Sequence, residues 1–292
     1  MNCLQVFTKN QRQWKCTPLR EDQCVPWRET LATMKWAACQ SPAAPSLLDR
    51  IVSHNCYLIN LASPDAANLS KSLATQRVEM ENCERLSIPL LVTHPGAHLG
   101  QARPRRPWDG HPPAGRLMKD ERLGLQRIAR ALDRLHRDLP GYRVITCLET
   151  TVGSGTNLGY DFHHLRLIRE LVKEPERVAF CLDTCHVTAA GYDMTTDGGA
   201  AAVMDHWDSV CGLDHLRVIH INDSQAAVGS RIDRHAHIGE GRCGLACFRA
   251  VLNHPRLRGV PKILETPKGK TKRGTSLDLV NMRRLRRLMT RP

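Results

Sequence analysis

Short apolar runs alternate along the chain with longer segments of helical periodicity. The apolar runs are mostly continuous, as in strands that are buried on both faces of a parallel sheet. The predicted strands are Leu4–Phe7, Ile51–Val52, Ile88–Val92, Tyr142–Leu148, Val178–Leu182, 216–221 and Pro261–Leu264. The predicted helices, which carry apolar residues three and four positions apart, are Trp27–Cys39, 63–86, Arg122–Leu139, Phe162–Val172, 199–211, Cys243–Leu252 and Leu277–Met289.

This alternation of strand and helix predicts an α/β fold. With this many βα units in 292 residues, the leading architecture is a TIM-type (β/α)8 barrel in one domain, residues 1–292. An open doubly wound sheet is the alternative. No complete glycine-rich dinucleotide fingerprint follows a predicted strand, which weakens that alternative, and we expect no nucleotide cofactor.

The composition indicates the cellular compartment in which the protein works. Hydrophobic residues make up 41% of the chain, enough to bury a full core. No apolar run approaches the ~18 residues of a membrane span, and the N-terminus has no signal-peptide pattern. The 12 cysteines are scattered without a CxxC pair, which is typical of a reducing compartment. We therefore expect a cytoplasmic protein with no membrane partner and with cysteines in its core.

The charge of the chain indicates a class of partner. The formal net charge is +13 at pH 7, which fits a polyanion such as nucleic acid. A basic but merely solvated surface is the alternative. The C-terminal residues 268–292 hold two further basic stretches, which we interpret as an exposed tail and helix face.

Histidines and carboxylates stand where predicted strands give way to loops. In a parallel barrel all these strand ends lie on one face, where active sites are found. Imidazole and carboxylate without thiolate suit zinc or manganese, and Cys185 is interpreted as a packed thiol. One such residue alone is more often a helix cap, but this many exceed the needs of one tetrahedral ion and indicate a cluster of two or three. The candidates at strand ends are His94, Glu149, Asp183, His220 and Glu265, and His54 is assigned to the same set. Three more candidates are His186, three residues after Asp183, and Asp233 and His235, which lie two apart on an extended segment.

The segments around these residues resemble the signatures of a known family. In chain order they are FTKNQRQW (7–14), HNCYLINLASP (54–64), THPGAHLG (93–100), LETTVGSGTNLG (148–159), CLDTCHVTAAGYD (181–193), HINDSQAAVGSRIDRHAHIGEG (220–241) and ILETP (263–267). They resemble endonuclease IV, the zinc-dependent apurinic/apyrimidinic endonuclease (deoxyribonuclease IV) of bacteria. The resemblance runs from about Phe7 to Pro267.

The resemblance implies a TIM barrel with three zinc ions per chain, some of which manganese could replace. Glu149 would bridge the first two ions. The implied ligand sets are His54, His94 and Glu149 for the first ion; Glu149, Asp183, His220 and Glu265 for the second; and His186, Asp233 and His235 for the third.

The implied activity is DNA repair on double-stranded DNA. Zinc-bound hydroxide would hydrolyse the phosphodiester bond 5′ to an abasic site and leave a 3′-hydroxyl, a step of base excision repair. Glu149 and Glu265 would be the catalytic residues. Arg12, Tyr57 and Leu58 match the residues that penetrate the base stack. For Tyr57 and Leu58 the residues alone favour ordinary strand packing.

The chain departs from the family in two places. The family begins with one more βα unit, so either the true start lies upstream or the barrel is incomplete, lacking its first strand and helix. The Arg/Pro-rich segment 101–116 looks longer than the family loop. Its side chains that could reach DNA are Arg103, Arg105, Arg106 and Trp108. We expect a monomer.

Two other functions remain open at this point. A sugar isomerase or epimerase on the same barrel would use one metal held by acidic residues and a histidine, and would leave the other candidates without a role. Those four ligands would be Glu149, Asp183, His220 and Glu265. A non-catalytic DNA-binding relative is the third hypothesis, prompted by the absent first unit.

Overall fold

A parallel sheet of sequential strands frames the computed structural model, which describes residues 3–34, 50–102 and 107–290. The strands of this sheet are β1 (Leu4–Val6), β2 (Ile51–His54), β3 (Leu90–Thr93), β4 (Ile145–Glu149), β5 (Val178–Asp183), β6 (Leu216–His220) and β9 (Lys262–Ile263). Within the described ranges these seven strands pair side by side in that order, all parallel. A separate antiparallel hairpin joins β7 (Asp223–Ser224) to β8 (His235–Ala236).

Helices follow the strands and cover the outside of the sheet. They are α1 (Glu21–Thr33), α2 (Ala66–Arg85), α3 (Lys119–Asp138), α4 (Phe162–Leu171), α5 (Thr184–Ala190), α6 (Asp197–Cys211), α7 (Gly244–Asn253) and α8 (Leu277–Leu288). Side chains cap several of them. At the start of α2, for example, Asp65 accepts a hydrogen bond from the Asn68 amide, 2.7 Å away.

The apolar core has two parts, as in a barrel. A larger cluster lies between the strands and the helices. A smaller one fills the space enclosed by the strands, so the barrel interior is packed and is not a pore. The smaller cluster consists of Val52, Leu90, Val92, Cys147, Ala179, Cys181, Val218 and Ile263. The prediction of an α/β TIM barrel is confirmed, with the barrel nearly closed.

The barrel has a seam between β1 and β9, which do not pair as strands in the described ranges. Two side chains cross it. Cys3 donates from Sγ to the Lys262 carbonyl at 3.3 Å, and Gln5 donates from Nε2 to Glu265 Oε1 at 2.6 Å. A cavity of about 1040 Å³ runs along the seam, lined by both strands and by α8.

The structure differs from the sequence prediction in a few elements. α1 begins at Glu21, well before the predicted start, and residues 35–39 of that predicted helix lie outside the described residues. Helix α5 was not predicted. It forms because Asp183, the last residue of β5, also caps the helix by accepting the His186 amide at 3.0 Å. Gly191 ends it at φ 114°, a backbone conformation that favours glycine.

The cysteines agree with the expectation that they lie in the core as thiols. Every cysteine in the described ranges is a free thiol, and most are buried among apolar side chains. No helix in the described part of the chain is long and apolar enough to cross a membrane.

His136 on α3 makes stability sensitive to acid. It is buried, and neither ring nitrogen has a hydrogen-bond partner among the described residues. Burial, followed by the charge of Arg177, lowers its pKa from 6.5 to about 4. The neutral ring is therefore tolerated above pH 6.5, and stability is lost as the pH falls toward 4, because the unfolded chain takes up the proton first.

We expect His136→Gln to lessen this acid loss by up to about 3 kcal/mol. Urea unfolding at pH 7 and pH 4 measures it, as the pH-dependent change in the free energy of unfolding for each protein. His111→Gln, at an exposed position, is the control and should behave as the wild type. An equal loss of stability in the wild type and the His136 variant would contradict the assignment.

Candidate metal centre

Glu149, the last residue of β4, is a buried carboxylate surrounded by imidazoles. Its Oε2 lies 3.2 Å from His54 Nε2 and 3.1 Å from His94 Nε2. Its Oε1 lies 2.8 Å from His220 Nδ1 and 3.4 Å from His186 Nδ1. Four histidines from two strand ends, a loop and helix α5 thus meet one carboxylate at the carboxyl end of the barrel.

All nine candidate ligands lie together at this end. Among the described residues, five groups have ligand atoms that fall within 4.8 Å of one another and could hold a metal ion, and three of these groups contain no cysteine. Two of the three coincide with the sets expected for the first and second ions. The three groups are His54, His94 and Glu149; Glu149, Asp183, His220 and Glu265; and Asp183, His186 and His235.

The third group differs from expectation by including Asp183, but Asp233 is also within reach. Asp233 Oδ2 lies 3.2 Å from His186 Nε2, and Oδ1 lies 3.5 Å from His235 Nε2. The Asp233 side chain is 48% exposed, so it can adjust its position. The structure therefore brings His186, Asp233 and His235 together at the open edge of the cluster.

Two buried nitrogens in this third group, His186 Nε2 and His235 Nε2, face Asp233 at ion-pair distance but form no well-aligned hydrogen bond in the described structure. An unsatisfied buried polar atom costs roughly 1–3 kcal/mol. A cation held between these nitrogens and Asp233 would satisfy both. Imidazole and carboxylate donors in this arrangement fit zinc.

In three of the histidines the ring nitrogen Nδ1 is anchored to a backbone carbonyl. His54 Nδ1 lies 2.9 Å from the Asn55 carbonyl, and His186 Nδ1 lies 2.8 Å from the Thr150 carbonyl. His235 Nδ1 lies 3.3 Å from a carbonyl of the loop that follows β9. Since a carbonyl only accepts, each of these nitrogens donates, and Nε2 is left to face the cluster.

Two side-chain amides also contact the candidate ligands, and neither was assigned such a role from the sequence. Asn222 donates to Asp183 Oδ2 at 2.7 Å and accepts the Glu265 amide at 2.7 Å. Gln5 lies between His220 and Glu265. The signals were present: Asn222 lies within the segment that follows β6, and Gln5 is a polar residue inside an apolar strand.

The charges in the cluster hold one another in their ionised forms. Burial acts to raise the pKa of Glu149, but His220 and His94 hold it well below its ordinary value. Burial acts to lower the pKa of His220, but the charges of Glu265 and Glu149 raise it well above its usual range. Protons on these imidazoles compete with metal, so acid should weaken metal binding.

Two thiols lie near the cluster but, unlike the imidazoles, are not expected to bind a metal ion. Cys181 lies within ligand distance of Glu149 and His220, and Cys185 within that of Asp233 and His235. Burial raises the pKa of both thiols to about 12. They therefore stay protonated at neutral pH and pack as apolar groups.

Tyr57 and Leu58 lie in a turn after β2 and are exposed, by 51% and 36%. The alternative of ordinary strand packing for these two side chains was therefore wrong. The Tyr57 ring centroid is 5.3 Å from that of His54. The Tyr57 amide donates to the Gln11 carbonyl at 3.2 Å, next to the exposed Arg12. The three predicted DNA-contacting residues thus share one rim beside the cluster.

The Arg/Pro-rich segment is described only in part. Three of its four arginines, Arg103, Arg105 and Arg106, lie outside the described residues. Trp108 is partly exposed and donates from Nε1 to the His111 carbonyl at 3.1 Å. A Cβ at Gly229 would come within 2.4 Å of Trp108 Cγ, so the indole packs tightly on that glycine. Trp108 therefore anchors this segment to the loop that leads to Asp233.

Comparison with known proteins now places this arrangement in a family. The model of the xylose isomerase-like TIM barrel family matches residues 2–285. A probable endonuclease 4 of Geobacter sulfurreducens is 43% identical to this chain over 288 residues, 99% of the chain and 86% of the relative. The chain belongs to the endonuclease 4 family. The resemblance inferred from the sequence is confirmed.

Solved structures agree with this membership of the endonuclease 4 family. Endonuclease IV from Thermus thermophilus superposes with a TM-score of 0.74 at 27% identity, covering 99% of this chain and 89% of that one. A D-tagatose 3-epimerase-like protein reaches a TM-score of 0.63 at 16% identity, covering 98% and 88%. At that identity the second likeness concerns the fold alone.

The ligand groups generate a prediction about metal content. We expect the purified protein to bind about three zinc ions per chain, because nine ligands exceed what one or two ions of low coordination number require. His186→Ala should bind about one ion fewer, while His111→Ala at an exposed position should bind as many as the wild type. Elemental analysis after dialysis measures this. A single ion per wild-type chain would contradict the clustered centre.

Proposed function

We propose that this protein hydrolyses the phosphodiester bond 5′ to abasic sites in double-stranded DNA and leaves a 3′-hydroxyl, as a step of base excision repair. It would use three zinc ions, some replaceable by manganese. The observation that carries the proposal is the grouping of nine ligands around Glu149, next to a rim with exposed Tyr57 and Leu58. The endonuclease 4 names of the relatives support the substrate class.

The carboxylates have distinct roles in this proposal. Bound zinc ions would lower the pKa of a water molecule toward neutrality and so supply a nucleophile. Glu149 contacts both the His54 side and the His220 side of the cluster, and so ties two ligand groups together. Glu265 lies 3.1 Å from His220 Nδ1, and we assign to it the orientation of the attacking water.

Asp233 stands at the open edge of the cluster, where a phosphate can reach it. Its carboxylate is ionised, since His186 and then His235 lower its pKa to about 2 against the effect of burial. With those two histidines it would hold the ion closest to solvent. We propose that this group orients the scissile phosphate and stabilises the charge that develops on the leaving oxygen.

The exposed rim supports recognition of damaged DNA. An aromatic or apolar wedge offsets the cost of unstacking a base pair, which is lowest where a base is already missing. Tyr57 and Leu58 supply such a wedge, and Arg12 supplies positive charge on the same rim. The net charge of +13 favours binding to the phosphate backbone as a whole.

A single-metal sugar isomerase or epimerase accounts for less of the structure. Such a site needs only the group of Glu149, Asp183, His220 and Glu265. The grouping of His186, Asp233 and His235 would then have no role, and neither would the exposed wedge. The complete ligand set likewise disfavours a non-catalytic DNA-binding relative.

We expect Glu149→Gln to lower incision of an abasic duplex by roughly 100-fold or more, because it removes the charge that two ligand groups share. Glu170→Gln, at an exposed ion pair with Arg166, is the control and should cut as the wild type does. Gel analysis of a labelled duplex with one abasic site measures both rates. Appreciable cutting by the Glu149 variant would show that the proposed cluster is not the catalytic centre.

We expect Tyr57→Ala to weaken binding to an abasic duplex by about 10-fold or more, since aromatic–base contacts contribute about 1–3 kcal/mol each. Its zinc content should not change, because Tyr57 is not a ligand. Fluorescence anisotropy measures the affinity. Tyr142→Ala, before β4 at the other end of the barrel, is the matched control and should bind normally. Loss of zinc in the Tyr57 variant would show instead a structural role.

A further inference from the structure

We propose that Gln5, on β1, is a positioning residue of the metal centre. Its amide would select the tautomer of His220 and fix the orientation of Glu265, two ligands of one group. This inference rests on the proposed metal-dependent function. It concerns a residue at the opposite end of the chain from the ligands that it holds.

The orientation of the Gln5 amide follows from its partners. Its Nε2 lies 2.6 Å from Glu265 Oε1, and its Oε1 lies 2.8 Å from His220 Nε2. The ionised carboxylate of Glu265 can only accept a hydrogen bond, so the NH₂ group must face it. The carbonyl oxygen therefore faces His220, and His220 must donate from Nε2.

A proton on Nε2 leaves His220 Nδ1 as the nitrogen that can coordinate a metal. Nδ1 is the atom that faces the other ligands of its group: it lies 2.8 Å from Glu149, 3.1 Å from Glu265 and 3.8 Å from Asp183. The opposite tautomer would direct an N–H at the cation and lose the bond to Gln5. The amide thus presents the correct lone pair to the ion.

His220 differs in this respect from three other histidines of the centre. His54, His186 and His235 are oriented by backbone carbonyls close to the cluster. His220 is fully buried and depends on the Gln5 side chain, which belongs to a strand paired only with β2 among the described strands. The orientation of this ligand therefore depends on where β1 lies beside the seam.

A second seam contact offers a matched control. Cys3 directly precedes β1 and bonds across the seam to the Lys262 carbonyl, but the structure gives it no bond to a proposed ligand among the described residues. If seam closure alone mattered, loss of either contact would have the same effect. If Gln5 acts through His220 and Glu265, only its loss will change metal binding.

The test compares Gln5→Met, which keeps the length of the side chain but removes both hydrogen bonds, with Cys3→Ala. Zinc-loaded proteins are dialysed against a chelator series. We expect Gln5→Met to release about one ion per chain at a chelator concentration roughly 10- to 100-fold lower than the wild type requires. Cys3→Ala should follow the wild type.

In ¹⁵N spectra of the zinc-loaded proteins, the proton on His220 Nε2 should be fixed in the wild type and exchange-broadened or lost in Gln5→Met.

Equal zinc retention and the same His220 tautomer in Gln5→Met and wild type would overturn the inference. So would equal losses in Gln5→Met and Cys3→Ala, which would assign the effect to the seam. Should Gln5→Met not fold, Gln5→Ala removes the same two bonds and is measured in the same way. Neither readout uses DNA, so a wild type that holds zinc without cutting DNA would refute the proposed function and leave the role of Gln5 standing.

Discussion

The structure depends on the pairing of one buried charge. Glu149 is fully buried, and an ionised carboxylate in that position is costly unless opposite charges and hydrogen bonds compensate it. Here four imidazoles do so from β2, the loop after β3, α5 and β6. The parallel arrangement makes this pairing achievable, because each strand delivers its last residues to the same end of the barrel. A metal cluster would also compensate the charge of Glu149, because metal cations would replace the protons on the imidazoles.

The centre is consequently coupled to the weakest part of the barrel. β1 and β9 close the ring without pairing as strands in the described ranges, and one of the contacts across that seam ends on a proposed ligand, Glu265. Loss of metal should therefore make the seam less stable, and loosening of the seam should weaken metal binding. The exposed rim of Tyr57 lies at the same end, and its ring is a neighbour of His54. The proposed recognition of damaged DNA and the proposed metal binding would thus share a small region whose geometry is set by strand ends.

Much of this arrangement could be predicted from the sequence, and the exceptions have physical causes. Continuous apolar runs predicted the parallel strands. Titratable residues at the strand ends, together with three more close to them in sequence, predicted the nine side chains that the structure brings together. Helix α5 was missed because a single carboxylate, Asp183, both ends a strand and caps a helix. Gln5 and Asn222 were missed because their roles exist only in contacts between distant parts of the chain. The exposure of Tyr57 likewise depends on the turn that holds it, which periodicity does not report.

The most direct test of the account is incision of a duplex with one abasic site by the zinc-loaded protein, after chelation, and after zinc is restored. The account predicts a cut 5′ to the abasic site with a 3′-hydroxyl that a polymerase can extend. Chelation should abolish the cut and added zinc should restore it. Binding of the duplex without metal-dependent cutting, or cutting on the 3′ side, would contradict the account.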